Sequence, residues 1–191
     1  MQSILRLATA RSYRLAALLG IVLAAVPARA TVVVSMDVEQ LAAAATAVVH
    51  GTVLDTRAED DHGRAFTRVE VKVREQLKGP AATSPDRVTM RVVGGSLGGY
   101  SQVVPGAPQL TVGDEVVLFL WSPGPGQPYR PLGLAMGTFH VERRGKVVEA
   151  VSRRDGLAAA RADDPGHPDL ADERLPLTSL LQRVRAVGGS R

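Results

Sequence analysis

Residues 68–74 read RVEVKVR, placing Val69, Val71 and Val73 in strict alternation with Arg68, Glu70, Lys72 and Arg74. A strand sends successive side chains to opposite faces, so this spacing separates one apolar face from one charged face. The same residues on a helix would scatter their charges around the axis. Val88, Met90 and Val92 in RVTMRVV (87–93) repeat the pattern. Two β-branched, half-buried strands commit the chain to a mainly β class built on an antiparallel sheet.

Further strands follow from composition and punctuation. AVVHGTVLDTR (47–57) is read as a strand with Gly51 at a bulge or close crossing, and AEDDHG (58–63) as the polar turn before a strand over 64–79. DEVVLFLW (114–121) is apolar on both faces and predicts a central strand. SPGPGQPYRPLG (122–133) predicts a proline-rich turn or edge. LAMGTFHVERRGKVVEAVS (134–152) predicts a hairpin turning at RRGK and packed by Phe139, Val141, Val147 and Val148.

Two helices flank the strands. Asp37 followed three residues later by Gln40 is capping-box spacing, and the alanine run after it favours a short helix packed by Val38, Leu41, Ala42 and Ala45. Leu177, Leu180, Leu181, Val184 and Val187 recur at helical intervals, with Pro176 suited to the first helical position and Gly188 to the cap. This amphipathic helix, over 175–188, is expected to pack on the β domain. Residues 153–174 lack periodicity and read as a polar linker.

The first thirty residues have the layout of a secretory signal: Arg6, Arg11 and Arg14, then LAALLGIVLAAV (15–26), then Ala28 and Ala30 at an A-x-A site. Cleavage is expected after Ala30, leaving Thr31 first. The apolar run falls short of the roughly 20 residues that span a bilayer, so no membrane anchor is expected after cleavage. With Arg29, this segment carries four arginines and no acid, and removing them from 23 basic residues leaves 19 against 19 acidic. Nucleic-acid binding, which needs a basic surplus, loses its support. No cysteine is present, so disulfides and thiolate metal sites are ruled out. The mature chain is expected to be secreted or periplasmic, one domain over 31–152 followed by the linker and helix.

The glycine-rich stretch VVGGSLGGYSQVVPGAPQL (92–110) was tested as a phosphate cradle. It has no lysine after the glycines and leads into a loop and a strand, whereas a phosphate loop requires a helix N-terminus. It is read instead as a strand corner with a loop attached, whose tip carries Leu97 and Tyr100. Ser96 lies between glycines but lacks G-x-S-x-G context. Asp55, Glu59, Asp60, Asp61 and His62 cluster without calcium-loop spacing, as do Asp163, Asp164, His167, Asp169 and Asp172. His50, His62, His140 and His167 lie in separate elements, with no zinc spacing among them. No catalytic residue, metal site or cofactor is expected.

The helix running into ATAVVHGTVLDT, the strand ending VREQLKG, the strand leading to GGSLGG, and PQLTVGDEVVLFL before MGTFHV together resemble secreted bacterial OB-type domains. These are similar in plan to the netrin-like modules of tissue inhibitors of metalloproteinases. The resemblance covers roughly residues 36–150. It implies a small OB-like barrel of five to six strands that binds rather than catalyses. In the inhibitors a mature N-terminal cysteine chelates the protease zinc; Thr31 stands at that place here, so no functional residue carries over.

The expected function is therefore a non-catalytic binding module for an envelope or extracellular protein, a protease among the options. Leu97, Tyr100, Pro125 and Tyr129 are the expected exposed anchors, since tyrosine combines apolar area with a hydroxyl. The rivals are a metal-dependent hydrolase using His50, His140 or the EDDH turn, and a structural envelope protein.

Overall fold

The computed structural model describes residues 31–79, 86–159 and 170–188. The expected signal segment with Ala28 and Ala30, and Asp163, Asp164, His167 and Asp169, lie outside these residues. Asp37 caps the first helix, α1 (Val38–Ala44): its carboxylate accepts from Gln40 N–H while the Gln40 side chain accepts from Asp37 N–H. The capping box read from the sequence is formed, and Val38, Leu41, Ala42 and Ala45 are buried as expected.

The strands are β1 (Thr31–Val33), β2 (Ala47–Asp61), β3 (Arg64–Lys78), β4 (Arg87–Val93), β5 (Gly95–Leu97), β6 (Tyr100–Gln102), β7 (Glu115–Trp121), β8 (Arg130–Pro131), β9 (Thr138–Arg144), β10 (Val147–Ser152), β11 (Leu157–Ala159) and β12 (Glu173–Pro176). The main sheet runs β12-β10-β9-β7-β2-β3-β4, all antiparallel, with β8 also on β7. β7 is central and buried, as its two apolar faces predicted. β1 pairs in parallel with β11, and β5 pairs antiparallel with β6.

The architecture is mainly β, with two corrections to the expected barrel. Strands are more numerous than five or six among the described residues, and the main ladder is an open path rather than a closed ring. The added strands are short and locally unpatterned; three residues give too little alternation to recognise. At the β4 edge, Tyr129 donates to the Thr89 carbonyl and accepts from Arg91 N–H, while Arg130 and Pro131 pair with β7.

Several boundaries also move. The turn assigned to 58–63 shrinks to His62 and Gly63, because β2 and β3 pair out to Asp61 and Arg64. Val147, expected to pack, is exposed at the start of β10, whereas Phe139 is buried and Val141 and Val148 are half-buried. The stretch read as a linker contains β11 and the start of β12, with Leu157 and Ala158 buried. Long-range pairing orders it, and no local period announces that. Pro176 closes β12 instead of opening the second helix, α2 (Leu177–Gly188).

Alternation sorts the apolar residues into two cores. Val48, Val117, Phe119 and Phe139 face α1 and α2, meeting Leu41, Leu180 and Val184. Val49, Val69, Val71, Met90, Val116 and Leu118 form the other core, closed by Ala107, Leu110 and Tyr129. Helices thus cover one side, and the glycine- and proline-rich loop covers the other. Gly51 marks the closest backbone approach. A Cβ there would overlap the Lys72 carbonyl oxygen, and the β2–β3 register shifts beside it, as the close-crossing reading predicted.

α2 belongs to the same core as the sheet. Leu180 and Val184 are fully buried, Arg183 forks onto Glu39 of α1 at 2.5 Å, and Arg185 reaches Glu75 of β3 at 2.6 Å. Lys78 supplies a second tie, its Nζ donating to the carbonyls of Ala42, Ala43 and Ala45. These are carbonyls at the end of α1, where helical partners run out. No helix among the described residues is long and apolar enough to cross a membrane.

Candidate functional site

Gly94 and Gly95 have positive φ and turn the chain sharply out of β4. A Cβ on Gly94 would press on the Gln102 carbonyl, so the turn is built for glycine. The chain then makes the β5–β6 hairpin, which the sequence reading had left as an undivided loop. Ser96 and Ser101 bond across it at 2.9 Å, so Ser96 is engaged with its hairpin partner. Residues 103–110 return over the sheet and leave two cavities beneath. One, about 160 Å³, lies against Thr67, Val69 and Val92. The other, about 350 Å³, is floored by Thr138 and His140 of β9 and bordered by Arg153 and Asp155.

The expected anchors occupy distinct environments. Tyr100 is 46% exposed, and its hydroxyl donates to Asp60 at 3.0 Å; partial desolvation, then that bond, pushes the phenol pKa up. Leu97, its partner in the hairpin, is half-buried. Pro125 is exposed in the connection after β7. Tyr129 is not an exposed anchor: it is half-buried against the second core and hydrogen-bonded to β4. Thr31 opens β1, its N–H donating to Gly156 and its hydroxyl to the Pro105 carbonyl at 2.7 Å, so it steadies the loop over the larger cavity. Val103 at 80% and Val112 at 62% are exposed between β6 and β7, while the exposed Val32, Val34, Trp121 and Val147 lie elsewhere in the chain.

Most of the titratable side chains in these clusters tie strands together. Glu115 accepts from His50 at 2.8 Å, Arg143 at 2.5 Å and Arg74 at 3.2 Å, joining β2, β3, β7 and β9. The Arg143 bond, opposed by burial and supported by His50, holds the Glu115 carboxyl below the usual range. At the β2–β3 tip, Arg91 lies over Phe66 and pairs with Glu59 and Asp61, while Asp55 pairs with Arg57. The EDDH turn is therefore consumed by local pairing. Asp172 accepts from Arg154 N–H, and Arg154 also pairs with Glu173.

His140 differs. Only 7% exposed, it makes no side-chain hydrogen bond among the described residues; the Asp114 carboxylate is 3.7 Å from Nδ1. Burial, then the nearby Arg153 charge, pushes its pKa below that of free imidazole despite Asp114 and Glu142. Among the described residues, no three His, Asp or Glu side chains converge as a metal requires. Thr138 and Arg153 are site residues the sequence reading missed, since only the loop's return across β9 makes them neighbours of His140.

The chain matches no protein-family model and no curated protein with which it was compared.

Proposed function

We propose that this is an exported, non-catalytic binding module that recognises an envelope or extracellular protein through the loop after β4. The observation that carries this reading is that three of the seven exposed large apolar side chains among the described residues, Tyr100, Val103 and Val112, fall on β6 and the loop after it, which a buried sheet braces. Loops on rigid scaffolds are where binding residues concentrate, and exposed apolar area gains most from a partner's cover. The OB-like plan is part of the proposal: the Tyr129–Pro131 segment, bonded to β4 on one side and β7 on the other, supports a barrel-like curl of the sheet. Its netrin-like resemblance favours binding, a protease being one class of partner.

The hydrolase reading is weakened by the histidines. His50 is taken up by Glu115, and His140 projects from the opposite face. Photo-crosslinking from position 100 in an envelope extract tests the proposal. A discrete adduct, lost when Val103 and Val112 become Ser but kept in Val147→Ser, is the expected result. Equal labelling in all three proteins would refute it.

A further inference from the structure

We infer that the 350 Å³ cavity beneath the 103–109 segment receives a single carboxylate borne on a small apolar body. Besides the Gln109 amide, three donors line it. His140 is more than nine-tenths buried and makes no side-chain hydrogen bond with a described residue. Thr138 is 1% exposed, and its hydroxyl reaches only the Leu134 carbonyl, at 3.5 Å. Arg153 spends one amino group on Glu142 at 3.1 Å, leaving further N–H groups of its half-exposed fork.

Buried polar groups are ordinarily satisfied, because leaving one unpaired costs roughly 1–3 kcal/mol. His140, with no side-chain hydrogen bond to a described residue, and Thr138, with one long bond, therefore have capacity left for a visiting ligand. A carboxylate suits them: it accepts from a guanidinium, an imidazole N–H and a hydroxyl at once. Beside Gln109 and Asp155, the remaining wall, including Val104, Pro105 and Ala135, is apolar and matches a short hydrocarbon body. Asp155 lines the same cavity and forms no ion pair with a described residue, so a second negative charge on the ligand would be repelled. That favours a monocarboxylate over phosphate or a dicarboxylate. Charges around His140 are Asp114 on β7, Glu142 on its own strand, and Arg153 and Asp155 after β10.

The carboxylate has two natural sources, a free organic acid or the end of a polypeptide. NMR of the His140 ring in the full chain separates them, using butanoate, acetyl-Ala-Ala with a free carboxylate, its C-terminal amide, and inorganic phosphate. Saturable displacement of the His140 signal by butanoate or by the free-acid peptide is expected, with the tighter of the two naming the source. Arg153→Gln should weaken that binding about tenfold. His140→Phe keeps a buried ring, and calorimetry on it should show the same carboxylate bound more weakly. No displacement by either carboxylate, equal displacement by amide or phosphate, or unchanged binding in Arg153→Gln would overturn the inference. The inference does not rest on the partner reading: Val112→Ser lies outside the cavity lining and should leave this titration intact even where it abolishes crosslinking.

Discussion

His50 and His140 flank β7 opposite Val117 and Val116, two consecutive residues, so the two imidazoles lie on opposite faces of one sheet. One is held by Glu115 and the other faces a cavity. His140 should titrate below the free-imidazole value near 6.5, because burial and Arg153 disfavour its charge. The folded pKa is lowered, so its stabilising contribution is full above about pH 6.5 and is lost as pH falls through the folded value. His140→Phe should flatten the stability curve across that window, as read by urea melts at several pH values.

Glu115 accepts from His50, Arg74 and Arg143 on three strands, and replacing it with Gln removes the charge and one of the two acceptor oxygens they share. Glu115→Gln should cost roughly 1–3 kcal/mol at neutral pH. Since its pKa is lowered in the fold, the wild-type advantage is complete above about 4.3 and disappears as pH drops through the folded value. Parallel acid melts of the two proteins should converge.

Gly51→Ala should destabilise by about 3 kcal/mol or more, because the added methyl meets the Lys72 backbone rather than a movable side chain. Gly98→Ala, where a Cβ meets open space, should change the melting temperature little. Similar losses at both positions would contradict the close β2–β3 crossing.

Lys78→Met keeps the aliphatic stem and removes the ammonium from the three carbonyls at the end of α1. A loss of roughly 1–2 kcal/mol is expected in chemical denaturation.

Leu180→Ala should cost about 2–5 kcal/mol, because α2 sits in the same core as Phe119 and Phe139. An unchanged melting temperature would contradict the packing of α2 in that core.

The elements legible in the sequence were those with a repeating local signal. The Val69–Val73 alternation, the Asp37–Gln40 pair and the Leu180–Val184 spacing all correspond to the observed strand, cap and helix. What escaped depends on chain segments far apart. Leu157 is buried because β1 pairs beside it, and nothing within 153–159 announces that. Tyr129 looked like a surface residue among prolines, yet its backbone is captured by β4. The cavity was invisible for the same reason: His140 was noticed as a histidine, but Arg153 and the 103–109 loop meet it only through the folded path.

The pairing of β1 with β11, and of Glu39 with Arg183 across 144 positions, has a kinetic meaning. Contacts of such separation form only after most of the chain is present, and they incur a large loop-closure entropy before they return any stabilisation. The early strands can pair locally, but α1 and the opening strand must wait for the last quarter of the sequence. Refolding should therefore end in a slow step, during which the face later covered by α2 lies open to aggregation.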